Sequence, residues 1–477
     1  MVNPWLIIVA VVMAVFVLGL VFYLVFLYQS EDDKNQAWLP RIVVIAGLTL
    51  ACFNVLLLPY DIANRQNPQL ADATGGGINT VLCWQIVLIS IAAMTFVVVP
   101  FCIFYYEAME TDQPNLCTQL RPAICYTLIS LFFFMLLLIV LWLTVGKAEI
   151  PYALYNGNEN ALPIFFPVDR VVNFGAVGTD LKLTVDVSLF VYMVGLMSAV
   201  GWVLFFIFGG VGLAALPIDL IRDFRDRPIP ISSEEFVRRK TQIGNDTQAL
   251  IVEGKKLDEA ERNGASDRKH KKKMAIFKQK VTQLEEEYEK LEISYDPQKG
   301  SILVAWVGLF VGILGIFLSL LWLLQIIIHN ILNAHPFLSA MFIGMDSSFT
   351  LFGVIAYGIF AFYLLWCVVK GCTKMGLNLL LFTVHPMKLH GTLMNSFLFN
   401  TNLILIASVS CVQFCAMSFR DYAANTAIDA LMTNYVMRLK GLGEINQYLQ
   451  YPLGAIAILS LLWLLICPRC RQDEDDD

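Results

Sequence analysis

Nine apolar runs constrain the fold of this chain more than any other feature of its sequence. A helix rises about 1.5 Å per residue and the hydrocarbon core of a bilayer is about 30 Å thick, so one crossing takes about 20 apolar residues. Lipid offers the backbone no hydrogen-bond partners, and no alternating barrel pattern is visible, so the runs are predicted to be helices. They cover residues 4–28, 41–60, 81–106, 121–145, 189–221, 301–328, 349–370, 395–417 and 452–467.

The composition agrees with this pattern, since 57% of the 477 residues are hydrophobic and only 15% are charged. Soluble domains have about 45–50% apolar and about 25% charged residues. The difference excludes a soluble enzyme, a nucleic-acid-binding domain and a disordered chain. We therefore expect an all-α polytopic protein of the lipid bilayer. Its predicted parts are transmembrane helices 1–5 in 1–221, a cytosolic segment 222–300, helices 6–9 in 301–468 and an acidic cytosolic tail 469–477.

The distribution of Lys and Arg predicts the orientation of the chain. Of its 33 basic residues, 18 lie in 222–300. Basic residues near the ends of spans favour the cytosolic side. With nine spans, this places the N-terminus outside or in a lumen and the C-terminus in the cytosol.

The segment 222–300 has the spacing of a helical hairpin. Apolar residues from Met274 to Tyr295 follow a 3,4 heptad rhythm, and a weaker form of the rhythm begins at Phe236. An Asn-Gly-Ala-Ser turn separates the two stretches, so antiparallel arms are predicted at about 233–262 and 267–295. The basic residues at the tip are either a solvated helix start or a docking patch for an acidic partner, and the weak seams leave association between copies open. These tip residues are Lys269, Lys271, Lys272 and Lys273.

Charges inside the predicted spans are sparse, which disfavours an ion-coupled pump. The fifth run is too long for one crossing and contains Gly209, Gly210, Gly212 and Pro217, which predict a bend followed by an interfacial stretch. Its Pro217-x-Asp219 pair resembles Pro59-x-Asp61 at the end of the second run. An inverted repeat and a chance match at helix ends are both open interpretations.

The sequence contains no pattern typical of an enzyme. We find no nucleophile–base pair and no phosphate loop, and neither the histidines nor the cysteines complete a metal-ligand set, so no catalysis, cofactor or metal is expected. Cys467 and Cys470 flank the predicted cytosolic edge of the last span. They are candidates for S-palmitoylation, with unmodified thiols as the alternative.

Several strings, taken in order, resemble one known family. They include Tyr28-Gln29, the stretch 57–66 with Pro59, Asp61 and Arg65, then Pro100-Phe101, Tyr106-Glu107 and the glycines 209–212. His385-Pro386-Met387-Lys388 and the stretch 392–400 follow. Together they resemble the limb region 1 membrane proteins of the LIMR type, which include the lipocalin-interacting membrane receptors. The candidate motif residues are Pro59, Asp61, Arg65, Gly209, Gly210, Gly212, Pro217, Asp219, His385, Pro386, Lys388, Asn395 and Asn400.

The resemblance implies nine spans, an outside N-terminus and a long cytosolic loop. It also implies a receptor for endocytosis or signalling, or a trafficking scaffold, with the plasma membrane as the expected location and the endolysosomal membrane as the alternative. We expect protein partners at the cytosolic hairpin and an outer or lumenal ligand at the loop 146–188, and no nucleic acid. A transporter, a channel or a transport accessory for a small molecule or lipid is the competing interpretation.

Overall fold

We describe the protein from a computed structural model. The described residues are 4–30, 33, 37–64, 79–108, 116–155, 176–225, 231–262, 302–332, 334–349, 351–375, 377–379, 382–384, 392–442 and 450–466, together with residues 277, 280, 281, 284, 287, 288, 291, 294 and 295.

The described chain is mainly helical, and eight of its helices are long and apolar enough to cross a membrane. The prediction of an all-α polytopic membrane protein is thereby confirmed. The ninth run forms a shorter apolar helix, α12, so the count of nine stays a prediction. The helices are α1 Pro4–Tyr28, α2 Trp38–Asn64, α3 Thr80–Glu107, α4 Leu116–Val145, α5 Leu189–Arg225, α6 Ser233–Arg262, α7 Ile302–Gln325, α8 Phe337–Ser348, α9 Phe352–Lys374, α10 Met394–Ser418, α11 Arg420–Ala423 and α12 Gln450–Ile466.

The chain divides into two compact units. The first comprises Met1–Leu213 and Leu320–Ile458, and the second comprises Ala214–Ser319 and Leu459–Asp477. In the first unit α10 is the most buried of the eight apolar helices, and it packs against α2, α5 and α9. Only 6% of the apolar window of α4 and 17% of that of α1 are buried. The faces that these two helices leave exposed are apolar, as contact with lipid requires.

The fifth run does not break where its glycines and proline suggest. It forms one helix over Leu189–Arg225, with a π-helical turn at Phe205–Gly209 and Pro217 inside the helix. A Cβ at Gly212 would overlap the carbonyl oxygen of Cys367, and one at Gly371 would overlap that of Phe208. The run is thus continuous as a helix, and the bend with an interfacial stretch stays a prediction. At Gly212 and Gly371 the missing side chains let α5 and α9 approach closely.

Two short hairpins of strands lie between the helices. β1 (Lys147–Tyr155) pairs antiparallel with β2 (Ala176–Asp186), and β3 (Leu377–Leu379) pairs with β4 (Phe382–Val384). The register of the first pair places Lys147 opposite Asp186 and Ile150 opposite Leu183. An antiparallel bridge from Ala148 to Leu439 ties β1 to the segment that follows α11. No strand pattern in the sequence predicts this pairing within 146–188.

The second unit contains α6, whose residues 233–262 are those of the first predicted arm. Described positions between 277 and 295 are helical as well. The Phe236 ring stacks on the Tyr295 ring at a centroid distance of 4.2 Å, and Lys240 lies 5.8 Å from the Tyr288 ring centroid. Gly254 contacts the ring of Phe277. These pairings have the antiparallel order expected of a hairpin, which stays a prediction that they support.

Candidate functional site

Asp61 is a buried carboxylate near the C-terminal end of α2, with 2% of its surface exposed. Its Oδ2 accepts hydrogen bonds from the indole Nε1 of Trp84 and from the backbone N–H of Ile428, both at 2.9 Å. These bonds join α2 to the start of α3 and to the segment after α11. Pro59 lies two residues before Asp61 in α2 and packs against Gly358 of α9. The geometry makes Asp61 a fixed acceptor that fastens three elements together.

A second carboxylate, Asp346, lies in α8 within the first unit. Its Oδ1 accepts a hydrogen bond from the backbone N–H of Gly353 at 2.9 Å, and its Oδ2 accepts one from the Tyr422 hydroxyl at 2.6 Å. Tyr422 also packs within an aromatic cluster, with ring centroids 5.4 Å from Phe342 and 5.7 Å from Tyr357. The helix Phe337–Ser348 is therefore packed against its neighbours through both the carboxylate and the aromatic cluster.

Several polar side chains inside the bundle bind to one another across helices. Gln413 Oε1 of α10 accepts hydrogen bonds from the Ser198 hydroxyl and from Trp202 Nε1 of α5, the latter at 2.7 Å. Asn54 of α2 donates to the Ser408 hydroxyl of α10 at 3.0 Å. Such bonds contribute about 0.6–2 kcal/mol each between membrane helices. Their arrangement favours helix packing over the lining of a pore.

Asp33 binds donors at the opposite end of α2 from Asp61, since that helix is about 40 Å long by its rise. Its Oδ1 accepts a hydrogen bond from the Tyr106 hydroxyl at 2.9 Å, and its Oδ2 accepts one from the backbone N–H of Met394 at 2.8 Å. Met394 is the first residue of α10, so the carboxylate caps the central helix from outside it. The Arg41 guanidinium also donates to the Asp33 carbonyl oxygen.

The strings that carry the family resemblance partly converge at this Asp33 end. Gln29 forms a bridge with Thr392, and backbone bonds join Ser30 and Tyr28 to the same threonine. The Asn395 amide contacts Glu107 Oε1 at 3.5 Å. No sequence motif identifies Asp33 as a functional residue. It lies between two of the strings that carry the family resemblance, and that position is the one sequence feature that could have pointed to it.

The remaining candidate motif residues lie at separate places in the chain. Asn400 is fully buried in α10, and neither of its polar atoms has a hydrogen-bond partner among the described residues. Pro217 is buried within α5, and Asp219 is partly exposed. Gly210 approaches Ile456 of α12. Arg65, His385, Pro386, Lys388, the tip lysines 269 and 271–273, Cys467 and Cys470 lie outside the described residues.

The described part of the chain contains no cluster of three His, Cys, Asp or Glu side chains arranged to hold a metal ion. Asp61, Asp346 and Asp33 each accept bonds from protein donors instead. These carboxylates therefore act as structural acceptors in this geometry.

The hairpin presents a different kind of surface. A cavity of about 440 Å³ opens between α6 and the second arm. It is lined on the α6 side by Lys240, Ile243, Gly244, Thr247, Leu250 and Ile251, and on the other arm by Phe277, Val281, Leu284 and Tyr288. Val237, Ile251 and Val252 of α6 are each more than half exposed. This open apolar surface in a charged helical unit is the candidate docking site.

Comparison with known proteins identifies relatives along nearly the whole chain. The family model described as LMBR1-like membrane protein matches residues 6–299 and 299–466. A LIMR family protein of Dictyostelium discoideum is 36% identical and covers 98% of both chains. LIMR family proteins of rice and Arabidopsis thaliana are each 34% identical, over 97% of this chain and 96% and 95% of their own.

No solved structure matches the chain. The family model, described as a membrane protein, agrees with the eight apolar helices. The chain is therefore a multi-pass membrane protein that belongs to the LMBR1-like, or LIMR, family.

Proposed function

We propose that this LIMR-family protein is a receptor-like scaffold for endocytosis or trafficking whose cytosolic hairpin docks protein partners. The observation that carries the proposal is open apolar surface on a charged helical hairpin. Ile251 and Val252 of α6 are 52% and 53% exposed, and Ile251 lines the open groove with Leu250 and Phe277. Contiguous exposed apolar surface typically marks an interaction site.

The seam of the hairpin supports the same proposal. Phe277, Val281 and Leu284 occupy seam positions of the second arm, yet each is only half-buried. A pair of helices has too little surface to enclose such a seam, and here Gly244 and Thr247 leave the groove open. A further helix laid along the groove would bury it.

The helical bundle offers little mobile charge, which favours a scaffold over an ion-coupled machine. Asp61, Asp346 and Asp33 each accept two hydrogen bonds that tie separate elements together. Transport driven by carboxylates requires groups that release their partners during the cycle. We assign the β1–β2 pair, in the segment that the sequence predicts to be outer or lumenal, to ligand recognition at the plasma membrane or an endolysosomal membrane.

A transporter or transport accessory is the second candidate, because some buried polar atoms have no partners. The Asn400 amide, Thr49 Oγ1 and Thr95 Oγ1 lack hydrogen bonds within the described residues. Thr95 lies in the π-helical turn Met94–Val98 of α3, and such turns recur at functional sites. Uptake of ions, lipids or vitamins by liposomes containing the purified protein, reduced by Asn400→Leu, would favour this alternative.

The docking proposal is tested by affinity capture from native membranes. The full chain is compared with a variant in which 233–295 is replaced by a short Gly-Ser linker. We expect the partners bound by the full chain to be lost from the variant. An unchanged thermal unfolding of the variant in detergent controls for damage to the bundle. Retention of every specific partner by the variant would refute the proposal.

A single-residue variant complements the deletion. Val252→Asp adds a charge to an exposed apolar position of α6, and Asn245→Asp adds the same charge to an exposed polar position. We expect the first variant to reduce partner capture and the second to leave it unchanged. Equal capture by both would contradict docking at the apolar surface.

A further inference from the structure

An exposed stripe of α6 has a self-complementary order of charges and apolar groups. Its members follow a 3,4 spacing, so they share one face of the helix. All of these residues are exposed. The stripe borders the open groove of the hairpin, because Gly244 and Ile251 belong to the stripe and also line the groove. From the N-terminal end the stripe comprises Glu234, Val237, Thr241, Gly244, Gln248, Ile251 and Lys255.

The ends of the stripe carry opposite charges. Glu234 is the acidic end and Lys255 the basic end, and among the described residues neither has an ion-pair partner. By contrast, Glu235 on the neighbouring face is paired with Arg239 at 2.6 Å. The two ends of the apolar stripe therefore carry opposite charges that no described ion pair occupies.

The centre of the stripe is open. A Cβ placed on Gly244 would meet no atom within 4 Å, so this position leaves space for another helix to approach. Val237 and Ile251 lie seven residues to either side of Gly244, about 10.5 Å along the axis. Glu234 lies ten residues before Gly244 and Lys255 eleven residues after it.

These positions distinguish two ways of pairing α6 with a copy of itself. A parallel pair would set Glu234 against Glu234 and Lys255 against Lys255, which is repulsive at both ends. An antiparallel pair crossing at Gly244 sets Val237 against Ile251, and Glu234 within about 1.5 Å of axial register with Lys255. The same surface patch then serves both partners, as a two-fold interface requires.

We propose that the occupant of this face of the hairpin is a second copy of the chain, paired antiparallel through the α6 stripe with Gly244 at the two-fold axis. The inference rests on the proposed docking role and names its partner. In this pair each copy buries the exposed Val237 and Ile251 of the other. These side chains lie beside the open groove between the two arms of each hairpin. The opposite charges at the ends set the antiparallel direction.

The direct test is cross-linking of the full chain in detergent and in proteoliposomes. Gly244→Cys places two thiols at the axis, where the Cα separation of a close helix pair falls in the range of about 4.4–6.8 Å that disulfides require. Asp246→Cys, on the other side of α6, is the matched control, and the unsubstituted chain with its 11 cysteines sets the background. We expect the yield of covalent dimer from Gly244→Cys to be well above the yields from Asp246→Cys and from the unsubstituted chain. Equal dimer formation from Asp246→Cys would overturn the proposal.

Charge reversal tests the direction of pairing and does not depend on a thiol. Glu234→Lys and Lys255→Glu each turn two symmetry-related attractions into repulsions, so the dissociation constant of the dimer should rise ~10-fold. The double variant restores both attractions and should restore the dimer. Failure of the double variant to recover, with the single variants folded by thermal unfolding, would refute the antiparallel pairing.

The two proposals fail separately. If partners are captured in a hairpin-dependent manner but Gly244→Cys gives no dimer, the self-pairing is wrong and docking stands. If the dimer forms and deletion of 233–295 releases no other protein, docking of other partners is wrong and self-pairing stands.

Discussion

At the scale of single residues, two carboxylates, those of Asp61 and Asp33, are held by neutral donors in the helical bundle. Asp61 binds an indole N–H and a backbone N–H, and Asp33 binds a tyrosine hydroxyl and the N–H that begins α10. Each acceptor satisfies donors that would otherwise be buried without partners. Such groups are costly to remove, because the abandoned donors keep their desolvation penalty.

Asp61→Ala should therefore destabilise the bundle. Trp84 Nε1 and the Ile428 N–H would lose their acceptor, and a buried unpaired group costs about 1–3 kcal/mol. Thermal unfolding in a fixed detergent measures the loss, and Asp421→Asn, at an exposed carboxylate, is the control. Equal unfolding temperatures for the two variants would show that Asp61 is not a fastening group.

Tyr422→Phe should also destabilise the bundle, through the loss of one hydrogen bond. It removes only the hydroxyl that donates to Asp346 Oδ2, and it keeps the ring within the aromatic cluster. A hydrogen bond to a charged group contributes about 1.5–3 kcal/mol, so the loss should be at most of that order. The same thermal unfolding assay measures this loss of stability. Tyr422→Ala removes the ring as well, and an equal loss of stability in both variants would show that the packing of the ring contributes nothing.

At the scale of elements, close approach of helices determines where glycine is required. Gly212 and Gly371 let α5 and α9 touch backbone to backbone, whereas Gly308 of α7 has no atom within 4 Å of an added Cβ. The three glycines have the same chemistry in the sequence. Only the packing separates the required glycines from the tolerant one.

Gly212→Val should destabilise the protein, whereas Gly308→Val should not. The added side chain at 212 would overlap the Cys367 carbonyl, and overpacking typically costs about 1–3 kcal/mol. The yield of folded protein after detergent extraction, together with its unfolding temperature, measures the difference. A tolerated valine at 212 would contradict the close packing of α5 on α9.

The β1–β2 pair should respond to pH through one cross-strand ion pair. Lys182 donates to Glu149 at 2.9 Å, and this hydrogen bond with the lysine charge lowers the pKa of Glu149 below its ordinary value. A lowered folded pKa stabilises the pair above the unfolded pKa of about 4.3, and the contribution is lost as pH falls through the folded value. Hydrogen exchange of the strand amides, corrected for intrinsic rates, should show protection falling on acidification.

Lys182→Ala is the matched variant for that measurement. It should weaken the protection of the strands at neutral pH and remove the pH dependence below about pH 5. The same pH dependence in the variant and in the unsubstituted chain would exclude this ion pair as its cause.

The sequence predicted the elements better than it predicted their contacts. The span predicted at 4–28 is α1, and the run 395–417 lies within α10, because apolar length alone determines a membrane helix. One partner of each of Asp61 and Asp33 lies more than 360 residues away in the chain, at Ile428 and Met394, and no periodicity reveals such pairs. The strands of 146–188 escaped prediction for a related reason, since a short irregular hairpin has no long apolar run.

At the scale of the whole molecule, the chain divides its chemistry between two units. The first unit is a bundle in which Asp61, Asp346 and Asp33 accept hydrogen bonds from protein donors, and the second contains the charged hairpin with open apolar surface. Of the 72 charged side chains, 34 lie in 222–300. This division underlies the proposal that the bundle anchors and the hairpin binds.

The most direct test of that proposal places a photo-crosslinking amino acid at Val252 in the full chain, in its native membrane. Val252 is 53% exposed on α6, and Phe310 of α7, 69% exposed on an apolar helix, is the control position. The account predicts protein adducts from position 252, and adducts of twice the chain mass report self-pairing. It predicts mainly lipid adducts from position 310. No protein adduct from position 252 in intact membranes would contradict a docking role for the hairpin.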